Sequence, residues 1–255
     1  QRIHGHFELL VDVPGIARSL RGGEMTAPLF DKIALIGIGL IGGSIALEAR
    51  KRGLARSIVA ATRSPERAAF ANKLKLADHC GTDLAEACKD ADLVIVCTPV
   101  GACGPATQAI ASSLKPGCIV SDVGSVKQTV IADMAPHIPK GVHFVPAHPV
   151  AGTENSGPEA ALLDLFQGRW CIVTPLPDSD EAAVAACRDQ VRQLGRTGCR
   201  GGLLQLLRLA AVEHHGRAVV DLVGLDGPDD VDLLEVEERL GAVLQREAGL
   251  AGLDA

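Results

Sequence analysis

Tyrosine is absent from this chain, tryptophan occurs once, at Trp170, and phenylalanine only five times, so the core has to be aliphatic. Apolar residues make up 47% of the sequence, enough to build a sizeable one. Positive charge is not in excess. The formal net charge of −6 argues against nucleic acid or an anionic membrane surface as the principal partner. No two of the eight cysteines have C-x-x-C spacing. Scattered through apolar and helical contexts, they read as reduced core thiols of a cytoplasmic protein, and no metal site is expected. No apolar run reaches the length of a membrane span, and residues 1–24 lack the pattern of a secretory signal. Internal repeats and low-complexity tracts are missing too. The 255 residues allow one large domain, or a medium one with a smaller partner.

Set against these absences is one dense stretch, residues 32–44. It begins as an apolar run of strand length, breaks into Gly37, Gly39 and Gly42, and continues into good helix formers. Strand, glycine turn and helix is the context in which G-x-G-x-x-G carries weight. Gly37 would allow the tight turn, Gly39 a close approach of backbone to a pyrophosphate, and Gly42 close packing of helix on strand. The amides of Leu40, Ile41 and Gly42, at the positive end of the helix dipole, would favour an anion. A glycine-rich turn without a ligand is the bland alternative.

From residue 32 onward strands and helices alternate. Strands are expected at 32–36, 57–62, 91–97, 118–122 and 170–174, with short extended pieces at 79–81 and 143–146. Helices are expected from the glycine turn to Arg52, then at 65–76, 83–88, 105–114, 125–134 and 180–194. The pattern predicts an α/β fold of the Rossmann type, with a doubly wound, mostly parallel sheet covered on both faces. Three segments follow: a leader or extension at 1–24, a nucleotide-binding domain at 25–198 and a helical segment at 199–255. In the last, 203–209 and 231–244 have helical patterns around a turn-rich break at 224–230. Met25 reads as a natural start.

Candidate site residues gather at predicted strand ends. Residues 62–64 hold no carboxylate to repel a 2′-phosphate, and Arg63, with Ser64 beside it, could bind one. That favours NADP; the alternative is a solvated Arg63 and NAD held by other contacts. Thr98, Pro99 and Val100 follow the most apolar strand, at the edge where open α/β sheets bind ligands. Ser125 could cap its helix or face a ligand, capping being the safer reading, and Lys127 could be a surface residue or an anion contact. His148 opens a long polar loop and could accept or share a proton from a substrate hydroxyl while hydride leaves the same carbon.

Five motifs then converge. Residues 37–44 (GIGLIGGS), 97–102 (CTPVGA), 122–127 (DVGSVK), 148–154 (HPVAGTE) and 165–170 (LFQGRW) resemble the prephenate/arogenate dehydrogenase family of tyrosine biosynthesis. The resemblance runs in order from Asp31 to Gly195. It implies NAD- or NADP-dependent oxidative decarboxylation of prephenate to 4-hydroxyphenylpyruvate, or of arogenate to tyrosine, by a homodimer. It assigns His148 to the ring hydroxyl, Ser125 to orienting that pair, and Thr153 and Glu154 to the neighbourhood of the substrate. The chemistry asks for orientation and proton acceptance rather than a metal. Beyond Gly195 the chain departs from the family, whose helical second domain makes the dimer and supplies an arginine for the substrate carboxylate; Arg208 and Arg217 are candidates only by default. The departure predicts cofactor binding with weak or absent turnover. Two further readings stand beside the leading one: another Rossmann dehydrogenase acting on a small hydroxy acid, and a catalytically silent nucleotide-binding module.

Overall fold

The computed structural model describes residues 27–195 and the strands at 207–210 and 219–224. Six strands form one parallel sheet: β1 (Phe30–Ile36), β2 (Ala55–Ala61), β3 (His79–Gly81), β4 (Leu93–Val96), β5 (Ile119–Asp122) and β6 (His143–Phe144), in the order β3-β2-β1-β4-β5-β6. Helices α1 (Leu40–Lys51), α2 (Pro65–Lys73), α3 (Leu84–Cys88), α4 (Cys103–Ile110) and α5 (Lys127–Met134) make the crossovers. This is the doubly wound order in which the chain reverses direction between β1 and β4.

The middles of the central strands are apolar because both faces are covered. In β1, Ile33 and Leu35 enter one core with Ile45 of α1, while Ala34 and Ile36 enter the other with Ile110 of α4. In β4, Leu93 and Ile95 join the first core, Val94 and Val96 the second. Alternate residues thus serve opposite faces, and 33–36 of β1 and 93–96 of β4 are apolar on both.

The chain leaves this sheet at Val145 and starts a second one. β7 (Ala147–Pro149), β8 (Trp170–Val173), β9 (Leu207–Ala210) and β10 (Val219–Gly224) form an antiparallel sheet ordered β7-β8-β10-β9. The strand expected at 170–174 is therefore present but pairs antiparallel with β7 instead of joining the parallel sheet. α6 (Glu181–Gly195) follows it and closes the first core with Val184, Cys187 and Val191. The tail expected to be helical holds two strands, the first of them where a helical pattern runs over 203–209. Residues 207–210 read Leu-Arg-Leu-Ala, too short a run for helical and strand periods to be told apart, and 219–224 is rich in β-branched Val. The helix expected at 231–244, the extension at 1–24, Arg217 and Cys199 lie outside the described residues.

Two buried polar residues on α1 organise the return of the chain. Ser44 Oγ donates to the Leu40 carbonyl at 2.7 Å and accepts the Leu162 amide at 2.9 Å. Glu48, fully buried, accepts the Asp164 amide at 2.6 Å on one oxygen and Arg52 Nε at 2.8 Å on the other. Lys51 Nζ reaches the Asp164 carboxylate at 2.9 Å. Gly43 gives room for this seam, since a Cβ there would stand 2.6 Å from that of Ala161. Residues 161–164 are thereby fastened along α1. Glu48→Ala leaves Arg52 and an amide without their acceptor in a closed seam. It is expected to lower stability by about 3 kcal/mol in urea unfolding; a loss below about 1 kcal/mol would mean that the seam relaxes around the gap.

Candidate active site

At the carboxyl ends of β1 and β4 the glycine turn is held by sterics. Gly37 has φ +102°, and a Cβ there would lie 2.7 Å from the Cys97 carbonyl oxygen. A Cβ on Gly42 would overlap the Gly37 carbonyl oxygen, while one on Gly39 would meet nothing within 4 Å. Gly37 and Gly42 therefore serve the packing of α1 into the notch, and Gly39 opens it. Gly39 is the N-cap of α1, no side chain caps the helix, and its first turn carries no acidic residue. No side chain accepts the first-turn amides of Leu40, Ile41 and Gly42, an arrangement suited to an anion. Leu40 is buried and Ile41 packs on the first core, so what they can offer a ligand is backbone. No helix among the described residues is long and apolar enough to cross a membrane.

The other predicted nucleotide residues are placed unevenly. Thr98, Pro99 and Val100 form the loop after β4, with Thr98 Oγ1 3.6 Å from Cys103 Sγ, and Pro99 exposed. This loop neighbours the one after β5: a Cβ on Gly124 would lie 3.6 Å from Val100 Cγ2. Arg63 is exposed at the end of β2. Ser64 is spent on its own helix, since its hydroxyl caps α2 at the Arg67 amide (3.2 Å) and donates to Glu66 Oε2 at 2.7 Å. A carboxylate does therefore stand beside this strand end, on the first turn of α2. The Ser64 hydrogen bond holds the Glu66 carboxyl below its ordinary range. Reading residues 62–64 alone missed it.

The turn after β5 corrects two expectations. α5 starts at Lys127 with Val126 as N-cap and no side-chain cap, so Ser125 does not cap it; the Ser125 carbonyl accepts the Lys127 amide at 3.1 Å. Lys127 is neither a surface residue nor open to an anion. Its ammonium pairs with Asp122 Oδ2 and donates to the Ala147 carbonyl at 2.7 Å. Asp122, with a fully buried side chain, also accepts the Gly124 amide at 2.8 Å and the Ala147 amide at 3.2 Å. Burial pushes the Asp122 carboxyl up and the Lys127 ammonium down, and their mutual attraction opposes both shifts. Asp122 accepts bonds on both oxygens, so the pair stands ionised.

His148 follows Ala147 directly on β7, half-buried, and packs beside β8. Burial, with the Lys127 charge adding to it, lowers its pKa to about 4. At neutral pH the imidazole is uncharged and can accept a hydrogen bond. Thr153 and Glu154 stand exposed in the loop beyond; Thr153 Oγ1 accepts the Asn155 amide at 3.2 Å, and neither residue joins the bonds that hold Ala147. A cavity of about 30 Å³ lined by Ile45, Ser121, Asp122, Phe166 and Gln190 lies under this region. It has room for about one water, not for a ring-sized substrate. Seven described cysteines are free thiols, six of them buried.

A parallel sheet with a glycine cradle at its switch point defines a dinucleotide-binding α/β domain. The nucleotide-binding domain of prephenate dehydrogenase matches residues 45–197, and the chain belongs to that family. It is 35% identical over 187 residues to the cyclohexadienyl dehydrogenase of Zymomonas mobilis, covering 73% of this chain and 60% of that protein. Among solved structures it is similar to prephenate dehydrogenase from A. aeolicus, a complex with hydroxyphenyl propionate and NAD+, at TM-score 0.60 and 28% identity over 65% of this chain and 57% of that one. It is equally similar to arogenate dehydrogenase from Synechocystis, at TM-score 0.60 and 30% identity over 65% of this chain and 58% of that one. The chain thus spans about three fifths of the length of these relatives.

The lowered His148 pKa makes folding sensitive to acid. Below about pH 6.5 the unfolded chain takes up a proton that the folded one refuses until about pH 4. Stability is therefore full above the unfolded value and falls as the pH drops towards the folded one, by up to about 2 kcal/mol between pH 7 and pH 5. His148→Asn is expected to lose this part of the pH dependence in urea unfolding at the two pH values; identical slopes for the two proteins would contradict the assignment.

Proposed function

We propose that this chain provides the nucleotide-binding part of an enzyme that oxidatively decarboxylates prephenate or arogenate, giving 4-hydroxyphenylpyruvate or tyrosine with NAD or NADP. The reading rests on one observation: an uncharged His148 on β7, whose backbone is tied through Ala147 to Asp122 and Lys127 at the carboxyl end of β5, in the sheet that carries the glycine cradle. Residues 25–198 form the functional unit of this proposal. The amides of Leu40, Ile41 and Gly42 would hold the pyrophosphate, with Gly37 and Gly39 shaping the turn and Thr98, Pro99 and Val100 beside it. Arg63 would attract a 2′-phosphate and Glu66 repel it. A bound nicotinamide would supply the hydride acceptor. Family resemblance adds a homodimer in the cytoplasm.

In this reading His148 accepts a hydrogen bond from the substrate's ring hydroxyl, and Ser125 keeps the two aligned. As hydride leaves the carbon that bears the hydroxyl, the oxygen gains carbonyl character and its proton becomes acidic. Neutral His148 is the group able to take that load. The bond to the carboxylate then breaks, carbon dioxide departs, and its electron pair completes the aromatic ring. Thr153 and Glu154 lie on the loop that would border the substrate.

Reduced-nicotinamide absorbance with each substrate and each cofactor tests this. Turnover is expected with at least one pair, and His148→Asn should lower kcat by about 100-fold or more while cofactor affinity holds. Cofactor binding without turnover on either substrate would favour the silent nucleotide-binding module instead. Glu66→Gln removes a like charge from the ribose end and should raise NADP affinity relative to NAD roughly fivefold; an unchanged ratio would put the carboxylate out of reach of the 2′-position.

A further inference from the structure

We propose that Asp122 and Lys127 are the positioning residues of this site: their ion pair grips Ala147 by its amide and its carbonyl and so fixes His148 relative to Ser125. The proposal rests on the reading of His148 as the group that meets the substrate hydroxyl.

The two gripping residues bracket the turn that carries Ser125, one at the end of β5 and the other at the start of α5. Ala147 sits between them: its N–H donates to Asp122 Oδ1 at 3.2 Å and its carbonyl accepts from Lys127 Nζ at 2.7 Å. The second of these bonds belongs to the peptide that links Ala147 to His148. The same arrangement therefore ties the backbone on which Ser125 is mounted to the backbone on which His148 is mounted.

β7 needs such a grip. It is three residues long, lies at the edge of its sheet and ends in Pro149, which has no amide to give to a ladder. Its pairing with β8 holds one side only. Stability alone does not account for an ion pair here, because a buried pair commonly costs more in lost hydration than it returns, and apolar residues of the same volume would serve as well. What the pair adds is direction, through bonds to both polar groups of one residue, and a fixed charge.

That charge acts on the ring as well. The titratable groups packed around β7 are Asp122 of β5, Lys127 of α5 and Cys171 of β8, whose thiol meets the His148 amide. Of these, Lys127 is the one whose charge bears on the imidazole, and it acts with burial to keep the ring neutral.

The test uses the full chain with Lys127→Met, Lys127→Arg and Asp122→Asn, and reads four quantities: exchange of the Ala147 amide, titration of the His148 ring by NMR, NAD affinity, and steady-state kinetics. Lys127→Met is expected to speed Ala147 exchange by about tenfold or more and to bring the His148 titration up into the range of pH 5–7, with NAD affinity unchanged within about twofold. In kinetics it should lower kcat by about 10- to 100-fold and leave KM within about threefold, the mark of a displaced group rather than a lost binding contact. Lys127→Arg, which keeps the charge, should recover the His148 titration and most of kcat. Unchanged Ala147 exchange and His148 titration in Lys127→Met would overturn the proposal, as would an arginine variant as impaired as the methionine one. Should Lys127→Met fail to fold, Lys127→Arg and Asp122→Asn carry the same NMR readouts. Asp122→Asn, which removes the charge that holds Lys127, is expected to loosen Ala147, and no loosening would overturn the proposal. If the wild-type chain binds NAD but turns over neither substrate, the functional reading falls while the NMR readouts still decide whether the grip exists.

Discussion

The geometry of this site depends on how tightly the start of α1 is pressed into the notch between β1 and β4. At Gly37 and Gly42 a single added carbon would strike backbone, in one case the Cys97 carbonyl and in the other the Gly37 carbonyl. No solvent separates helix from sheet there, so the first-turn amides stand at the mouth of the crevice rather than above it. The same helix carries Ser44 and Glu48 one and two turns further on. Its seating therefore sets the position of residues 161–164 as well as that of an anion.

Among the described residues the protein buries two carboxylates, Glu48 and Asp122. Its core is aliphatic, with few rings to fill space, and three of the polar residues it buries, Ser44, Glu48 and Asp122, are engaged by backbone. Glu48 takes the Asp164 amide, Ser44 the Leu162 amide, and Asp122 the amides of Gly124 and Ala147. The bonds to Leu162, Asp164 and Ala147 join α1 and the parallel sheet to the segment that follows, while that to Gly124 closes the β5–α5 turn. A buried carboxylate without partners would be ruinous in such a core, but one that gathers amides acts as a fastener whose direction is set by geometry.

How much of this was legible in the sequence depended on how local the cause was. The runs 33–36 and 93–96 announce strands covered on both faces, and Gly37, Gly39 and Gly42 announce the turn, because period and backbone sterics are written into consecutive residues. Asp83 and Ser64 turn out to be helix caps, although Asp83 is expected within its helix and Ser64 with the nucleotide. The role of Lys127 is not written locally: its second partner is the Ala147 carbonyl, twenty residues away, and nothing in the intervening stretch signals the contact. Glu66 was hidden for a different reason, since attention to a strand end passed over the first turn of the next helix. The strand at 207–210 falls where a helix is expected because so short a run fits either period. Of the candidate site, the glycines and His148 were placed by motif, whereas what steadies His148 emerged only from the fold.

The loop between β7 and residue 161 is anchored at both ends by different parts of the same sheet: the β5–α5 turn holds Ala147, and α1 holds Leu162 and Asp164. Its middle, from Gly152 to Ser156, is exposed. Closing such a loop costs little once its ends are pinned, and that cost grows only slowly with length. Substitutions, and even insertions, within 152–156 are therefore free to change what the loop contacts without disturbing the glycine turn, while buried Pro158 and Ala160 hold its return, which makes 152–156 the stretch whose contacts can be altered at least expense to folding.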